Sequence, residues 1–456
     1  MFTYQDWNEA ADKAAFIVDV VQEYRGSDTY MRAAEAQAYD RRNNAAVVNR
    51  MTFLERYGIQ DSKVKFFHMR NGFFPKMVRQ HVQYLLGNGV TFPDEIKNRL
   101  GSKFDRDLQR AGQQAKVDGV VWGFWNLDRL MIFRATEFAP IYDESNGDLM
   151  VGIRFWQIDS EKPMYYEVFT QEGITKYKQE NDGLAVAVDE KPTPYILHVQ
   201  TDMADERVTD TANYSRIPIF PLYANDLMIS EFSDGLKEDI DAYDYISSDL
   251  VDGIHQVEGV YWVVKNYGGN DLAQLLTEMQ AQKAVYFDSG GDSGADGKSL
   301  EVPFQAKQIA LELLEKKMYS ENMALDTRAL TGGSLTTVAI RVAFADFDLK
   351  TDLFEYQVLS FVQNILELIG ITGAEPKFKR RTLTNDTEMV DNISKMLADG
   401  YVDEEWAINN NPLIVDEEQD ELMKRIALAR EEEAEAQFGL PPNDTDAGGE
   451  QAGGEA

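Results

Sequence analysis

Cysteine is absent from the 456 residues, and histidine occurs four times. Without a thiol there is no disulfide framework, no thiolate zinc or iron–sulfur site and no cysteine nucleophile, and a cysteine-free chain is compatible with a reducing compartment. The histidines, His68, His81, His198 and His255, are scattered. None lies four residues from another, so the paired ligands of a helical zinc site are missing. His81 falls on the apolar face of a helical pattern, where a buried structural imidazole is the better reading. The Gly332-Gly333-Ser334-Leu335 turn carries no lysine to reach a phosphate, and no Gly-x-Ser-x-Gly elbow occurs. Long apolar runs are also missing. The best, Leu353 to Ile371, is interrupted by Glu355, Gln363, Asn364 and Glu367, whereas a bilayer span needs roughly twenty predominantly apolar residues. It reads as a buried or interfacial helix. No basic stretch followed by an apolar one opens the chain, so no secretory leader is expected.

Cations are scarce too. Lys and Arg number 45 against 78 Asp and Glu, a net charge of −33. Affinity for nucleic acid comes mainly from Lys and Arg, so a protein gripping phosphates over its whole surface is excluded, while one past which nucleic acid slides is not. The surplus acids could in principle build a two-metal nuclease. Pairs such as Asp239 with Asp241, or Asp346 with Asp348, arise freely in so acidic a chain, and a solvated surface explains them better. Neither a cofactor nor a metal site is expected.

What is present is ample core material: 24 Phe, 21 Tyr and 6 Trp, enough for about three structural units at this length. The first ninety residues read as helical. Asp6 is a candidate cap for a helix carrying Trp7, Ala10, Ala14 and Val18. From Asn71, the residues Phe74, Met77, Val78, His81, Val82 and Leu85 recur at helical spacing until Gly87, and a third helix is expected over Glu95–Asp118. From Gly119 to about Pro218 short β-branched and aromatic runs alternate with turns, Asn146-Gly147 among them, which predicts an antiparallel β domain. A long helix follows, with Phe232, Leu236, Ile240, Tyr243, Leu250, Ile254 and Val257 on one seam. The rest of it carries nine acids, from Glu231 to Glu258, against the lone Lys237. Such a helix has few supporting i,i+4 pairs and would depend on packing along its seam. Strands are expected at Tyr261–Val264 and Ala284–Phe287, a short helix at Asp271–Gln282, and a loop at Ser289–Lys298. Long helices are expected over Gln305–Asp326 and Asp346–Gly370. The basic knot Lys377–Arg381 reads as an edge strand with outward charges, the alternative being a contact to nucleic acid or to an acidic neighbouring subunit. Helices at Asp386–Asp399, Asp403–Asn409 and Asp416–Phe438 precede a polar tail, 439–456, expected to be disordered.

This order of features resembles the portal proteins of tailed bacteriophages with long non-contractile tails. The residues that carry the resemblance span most of the chain: Tyr84-Leu85-Leu86-Gly87-Asn88-Gly89-Val90-Thr91, the Pro140-Ile141-Tyr142-Asp143 turn, Ile217-Pro218-Ile219-Phe220-Pro221 with Asn225, Ile240-Asp241-Ala242-Tyr243-Asp244, Leu330–Phe344, and Asp416-Glu417-Glu418. The resemblance implies an α+β portal fold with long stem helices, a β-rich wing, a small α/β clip and a C-terminal helical crown. Its parts would be a wing over 1–228, a stem helix over 229–258, a clip over 259–304, a second stem helix over 305–329, and a tunnel loop over 330–345. A long kinked helix returning to the wing over 346–384, a crown over 385–438 and the acidic tail complete the scheme.

The resemblance also implies a non-enzymatic virion protein, made in the bacterial cytoplasm, that forms a ring of twelve copies at one capsid vertex. Double-stranded DNA would pass through the ring. The terminase large subunit, head-completion or adaptor proteins, scaffold and major capsid protein would be partners, and no membrane is involved. The tunnel loop Thr331, Gly332, Gly333, Ser334, Leu335, Thr336 and Thr337, with Arg341, would face the DNA. Glu238, Asp241, Asp249 and Asp252 would face the channel or the stem exterior. Phe232, Leu236, Ile240, Tyr243 and Leu250 would be only partly buried in one subunit and would pack across the ring. The competing readings are a metal-dependent nuclease or hydrolase and another ring-forming head–tail connector, whose subunits are usually much shorter.

Overall fold

The computed structural model describes residues 2–46, 67–180, 183–202, 205–256, 261–264, 295–298, 304–328, 337–380, 386–411 and 422–430, with a few isolated positions between the last two. The chain divides into two compact units, Met1–Thr331 with Ala343–Arg381, and Gly332–Val342 with Thr382–Ala456.

The N-terminal helical expectation holds in outline and fails at its caps. Helix α1 (Tyr4–Glu9) is capped by Thr3, and Asp6 is the reciprocal partner three residues on that accepts from the Thr3 backbone. Asp12 then caps a separate helix, α2 (Lys13–Arg25), through the Ala14 and Ala15 amides. α3 covers Asp28–Asp40. α4 (Phe73–Leu86) starts after Gly72 rather than at Asn71, and its inward face holds every apolar residue of the periodic pattern. The expected third helix is two, α5 (Asp94–Leu100) and α6 (Phe104–Asp118). Gly101, with φ +82°, makes the break at low steric cost.

Strand β1 (Val90–Thr91) pairs with the distant Lys377–Phe378. Three strands, β2 (Val120–Asn126), β3 (Arg129–Arg134) and β11 (Ile219–Tyr223), form one antiparallel sheet in the order β11-β2-β3. β4 (Phe138–Tyr142), β5 (Leu149–Gln157), β6 (Met164–Thr170), β7 (Gly173–Gln179) and β8 (Ala185–Ala187) form a five-stranded meander. The Asn146-Gly147 turn joins β4 to β5 as expected. β9 (Ile196–Asp202) and β10 (Asp205–Ala212) make a hairpin.

The aromatic richness of this region has a geometric reason. β2 is buried on both faces. Val121 and Trp125 pack with the helices, while Val120, Trp122 and Phe124 pack with Phe133, Phe138 and Phe169. Gly123 lies on the helical side, where an added Cβ would come within 2.3 Å of the Phe361 ring. The outer meander closes over Ile17, Val20, Val21 and Tyr24 of α2.

The acidic helix is α7 (Asp234–Gln256). β12 (Tyr261–Val264) pairs antiparallel with β13 (Ala295–Lys298). The expected Ser289–Lys298 loop is therefore overturned at its end: those four residues complete a backbone ladder despite their poor β propensity. The expected helix Asp271–Gln282 and strand Ala284–Phe287 lie outside the described residues. α8 (Phe304–Glu321) stops five residues early because Met323 takes the left-handed conformation, φ +48°. α9 (Thr337–Leu368) starts nine residues earlier than expected. Nothing in Thr337–Ala345 breaks a helix, so it runs through most of what the resemblance assigns to a loop. Its inward face, Phe344, Phe347, Thr351, Phe354, Val358, Phe361 and Ile365, repeats at three and four residues, and all are buried. This accounts for the most apolar stretch of the sequence without a membrane, and no helix among the described residues is long and apolar enough to cross one. In the basic knot, Lys377–Phe378 forms β14, while Arg380 is drawn onto Asp348, Asp352 and Glu355 of α9.

In the second unit, α10 (Asp386–Ala398) is followed by α11 (Glu404–Asn409), capped by Asp403, and residues 422–430 are helical. Arg430 pairs with Glu404. The 439–456 tail lies outside the described residues.

Candidate functional site

The long acidic helix is held far more completely inside its own chain than its sequence suggests. Phe232 packs on Tyr39 and Phe74, with ring centroids 4.5 and 4.9 Å apart. Leu236 and Ile240 are 3% and 1% exposed, in a core shared with Met77, Val78, Met318 and Tyr319. The expectation that these three await a neighbouring subunit is overturned: α3, α4 and α8 already cover them. Tyr243 is half-buried, edge-on to Phe73 at 4.8 Å, and Leu250 is half-buried.

The acids divide in the same way. Asp239 and Asp249 take Lys317 and Lys307 of α8. The partners are ten residues apart on each helix and run in opposite directions, so two ion pairs fix an antiparallel register. Asp241 accepts from the Tyr39 hydroxyl at 2.6 Å. Asp244, Ser248 and Asp252 stand one turn apart on one face and are all buried. They accept from the backbone amides of Asn71 at 3.0 Å, Met69 at 3.0 Å and Phe67 at 2.8 Å. Alternate amides of an extended chain repeat at about 6.7 Å and four helical residues rise about 6 Å, so the two ladders match. Asn44 and the Asn71 side chain complete the shell of Asp244, whose pKa burial raises against these hydrogen bonds. Asp252 thus faces the chain's own 67–71 segment rather than a channel, which corrects its expected role. Asp241 and Asp249 are half-buried and engaged; Glu238 alone of the four named acids is exposed.

At the root of α7 lies a cluster that sequence reasoning missed. Glu231 bridges two lysines: Lys116 of α6 at 3.2 Å and Lys350 of α9 at 2.5 Å. Lys116 is 1% exposed and sits 4.2 Å over the Phe354 ring. Burial acts to raise the Glu231 pKa, yet the two ammonium groups outweigh it and hold the carboxyl at about 2. Burial lowers Lys116 to about 8 against the pull of Glu231. His81 stacks on Phe347 at 4.3 Å, and burial drives its pKa well down, so the imidazole is neutral. Its Nε2 lies 3.2 Å from the Met323 carbonyl, which can only accept, so the proton sits on Nε2. His81 is the structural histidine its position implied. Lys350 also donates to Asn322 O at 3.0 Å. Three helices and the turn after α8 meet here.

Of the expected tunnel-loop residues, Thr331, Gly332, Gly333, Ser334, Leu335 and Thr336 lie outside the described residues. Thr337 is the first residue of α9 and Arg341 lies in its second turn. Around α7 and α8, Tyr245, Ile254, Ile309 and Leu313 are 58%, 56%, 56% and 63% exposed. Among the described residues no group of three or more His, Asp or Glu could hold a metal ion.

Residues 43–437 match the family described as phage portal protein, SPP1 Gp6-like. The portal protein of Bacillus phage SPP1 is 24% identical over 396 residues, covering 80% of this chain and 76% of that relative. The portal protein of Clostridium phage phiCD119 is 22% identical over 374 residues, covering 75% and 78%. Among solved structures, a chain from the neck of a native gene transfer agent particle aligns with a TM-score of 0.35 at 11% identity, covering 76% of this chain and 88% of that one. The chain belongs to the SPP1-type phage portal protein family. It is a non-enzymatic structural component of a virion, with a mixed α+β fold.

Proposed function

We propose that about twelve copies of this chain form a closed ring at one capsid vertex, and that double-stranded DNA is packaged and ejected through its centre. The carrying observation is the family match, which runs from residue 43 to residue 437. The antiparallel α7–α8 pair serves as the stem, residues 259–304 as the clip, residues 1–228 as the wing and residues 385–438 as the crown. The clip docks the terminase large subunit during packaging and head-completion proteins afterwards, while the outer parts meet scaffold and major capsid protein. The segment from Thr331 to Thr336, with Thr337 and Arg341, faces the DNA; its two glycines and small hydroxyl side chains suit contact without firm binding.

The stem contact between copies rests on Tyr245, Ile254, Ile309 and Leu313. These are apolar positions on α7 and α8 that the chain leaves exposed, and large apolar side chains left on paired helices are suited to association. Glu238 and Asp234 are the outward acids of α7. They contribute a repulsive wall past which a duplex slides. Particle images of the purified protein test the reading. Rings with a central hole are expected, and a monodisperse monomer at high concentration in every salt condition overturns it.

A further inference from the structure

Among the described residues, one surface groove in this acidic protein is lined by cations and by no carboxylate. It has a volume of about 490 Å³ and runs along the outer face of α4, between Arg42, Gly72, Lys76, Arg79, Gln80 and Gln83. Arg42 and Arg79 are exposed and make no ion pair among the described residues. Lys76 is anchored by its hydrogen bond to the Tyr319 hydroxyl at 2.8 Å, which holds its ammonium at the groove wall.

Arg42 carries a second signal. Its backbone is left-handed, φ 59°, a region that Gly, Asn and Asp occupy more readily than long side chains do. Its guanidinium lies across Gly72, where an added Cβ would stand 2.7 Å from Nε. The absence of a side chain at Gly72 leaves the room in which the Arg42 guanidinium lies at the groove wall.

We propose that this groove is the acceptor half of the contact between neighbouring copies, and that it takes a carboxylate-bearing surface of a second copy of this chain. The inference rests on the ring reading above. Each copy carries −33, so juxtaposed copies repel unless complementary patches meet. A heterologous ring contact joins two different surfaces of the same chain, and carboxylates are what a second copy presents most densely. From Gly72, over which Arg42 lies, to Arg79 is seven residues, about 10 Å along the helix axis. That is the footprint of a few side chains.

The test compares full-length wild type with Arg42→Asn, Arg79→Gln, the double variant and Arg42→Glu/Arg79→Glu by sedimentation velocity across protein and salt concentration. Arg42→Asn removes the charge while easing the backbone, so its monomer melts at the same temperature as wild type or higher. Each neutral variant is expected to raise the concentration needed for half-assembly about two- to fivefold, the range of exposed ion pairs. The double reversal raises it further, and the differences shrink as salt screens them. Wild-type rings with unchanged assembly of all four variants overturn the inference and leave the ring reading intact. Unchanged assembly with weakened DNA retention in packaging overturns it in favour of a nucleic-acid contact. Wild type that never forms rings overturns the ring reading and this inference together.

Discussion

Glu231 shows how one residue can join elements that are distant in sequence. Its carboxylate is shared by Lys116 and Lys350, 115 residues before it and 119 after it. Its pKa is near 2 in the folded protein against 4.5 ordinarily. A depressed carboxyl stabilises the fold fully above its unfolded pKa and loses that contribution as pH falls through the folded value. The window is therefore pH 4.5 to 2, and the size is about 3 kcal/mol at 1.36 kcal/mol per pH unit. Glu231→Gln is expected to destabilise the protein at pH 7 by about 3–5 kcal/mol, because two lysines lose their counter-charge in a buried site. The variant should also lose part of the acid sensitivity between pH 4.5 and 2. Denaturant unfolding across pH measures both; a variant as acid-sensitive as wild type there would show that Glu231 is not the titrating group.

The 67–71 segment is held at the scale of the element rather than the residue. Its amides meet the 244, 248 and 252 positions of α7 in turn. Ser248 is 2% exposed and accepts from Met69. Ser248→Ala removes the acceptor of this part-buried hydrogen bond, at a cost of about 0.5–1.5 kcal/mol. Hydrogen exchange should report it locally. The Met69 amide is expected to exchange at least several-fold faster, while amides inside α4 are little changed. Uniform acceleration throughout the protein would place the damage in the core instead. The Ile240–Asp244 motif is explained by the same packing: Ile240 enters the core, Asp241 takes Tyr39, Tyr243 meets Phe73 and Asp244 takes Asn44 and Asn71. Four of its five residues serve the subunit's own interior.

For the whole molecule, this burial separates folding from association. Leu236→Ala should cost about 2–5 kcal/mol of subunit stability, as for other buried leucines. Leu313→Asp replaces an exposed side chain, so the isolated subunit should be within about 0.5 kcal/mol of wild type. In a ring, the same charge enters an apolar contact and is costly unless paired. Rings are expected to be lost or to need at least tenfold more protein, as read by sedimentation, while the monomer's melting temperature stays put. Normal rings from Leu313→Asp would remove α8 from the proposed contact.

The kinds of element and their order are legible in the residues alone, because hydrophobic period, turn chemistry and caps are local. The heptad-like run in α9, the Asn146-Gly147 hairpin and the apolar face of α4 are legible for that reason, and the ordered set of short motifs was enough to indicate the portal family. Boundaries were less legible where a cap or glycine competes with a continuing pattern, as at Asp6, Gly101 and Thr337. Which acids are solvated could not be read at all. Asp244, Asp249 and Asp252 look alike along one acidic helix, yet one binds Asn44 and Asn71, one a lysine 58 residues on, and one the amide of Phe67, 185 residues back. The Lys116–Glu231–Lys350 cluster is invisible for the same reason. Helical period fixes which face a side chain occupies, but only the long-range packing decides what that face meets, and a buried charge takes its partner from whatever the fold brings there.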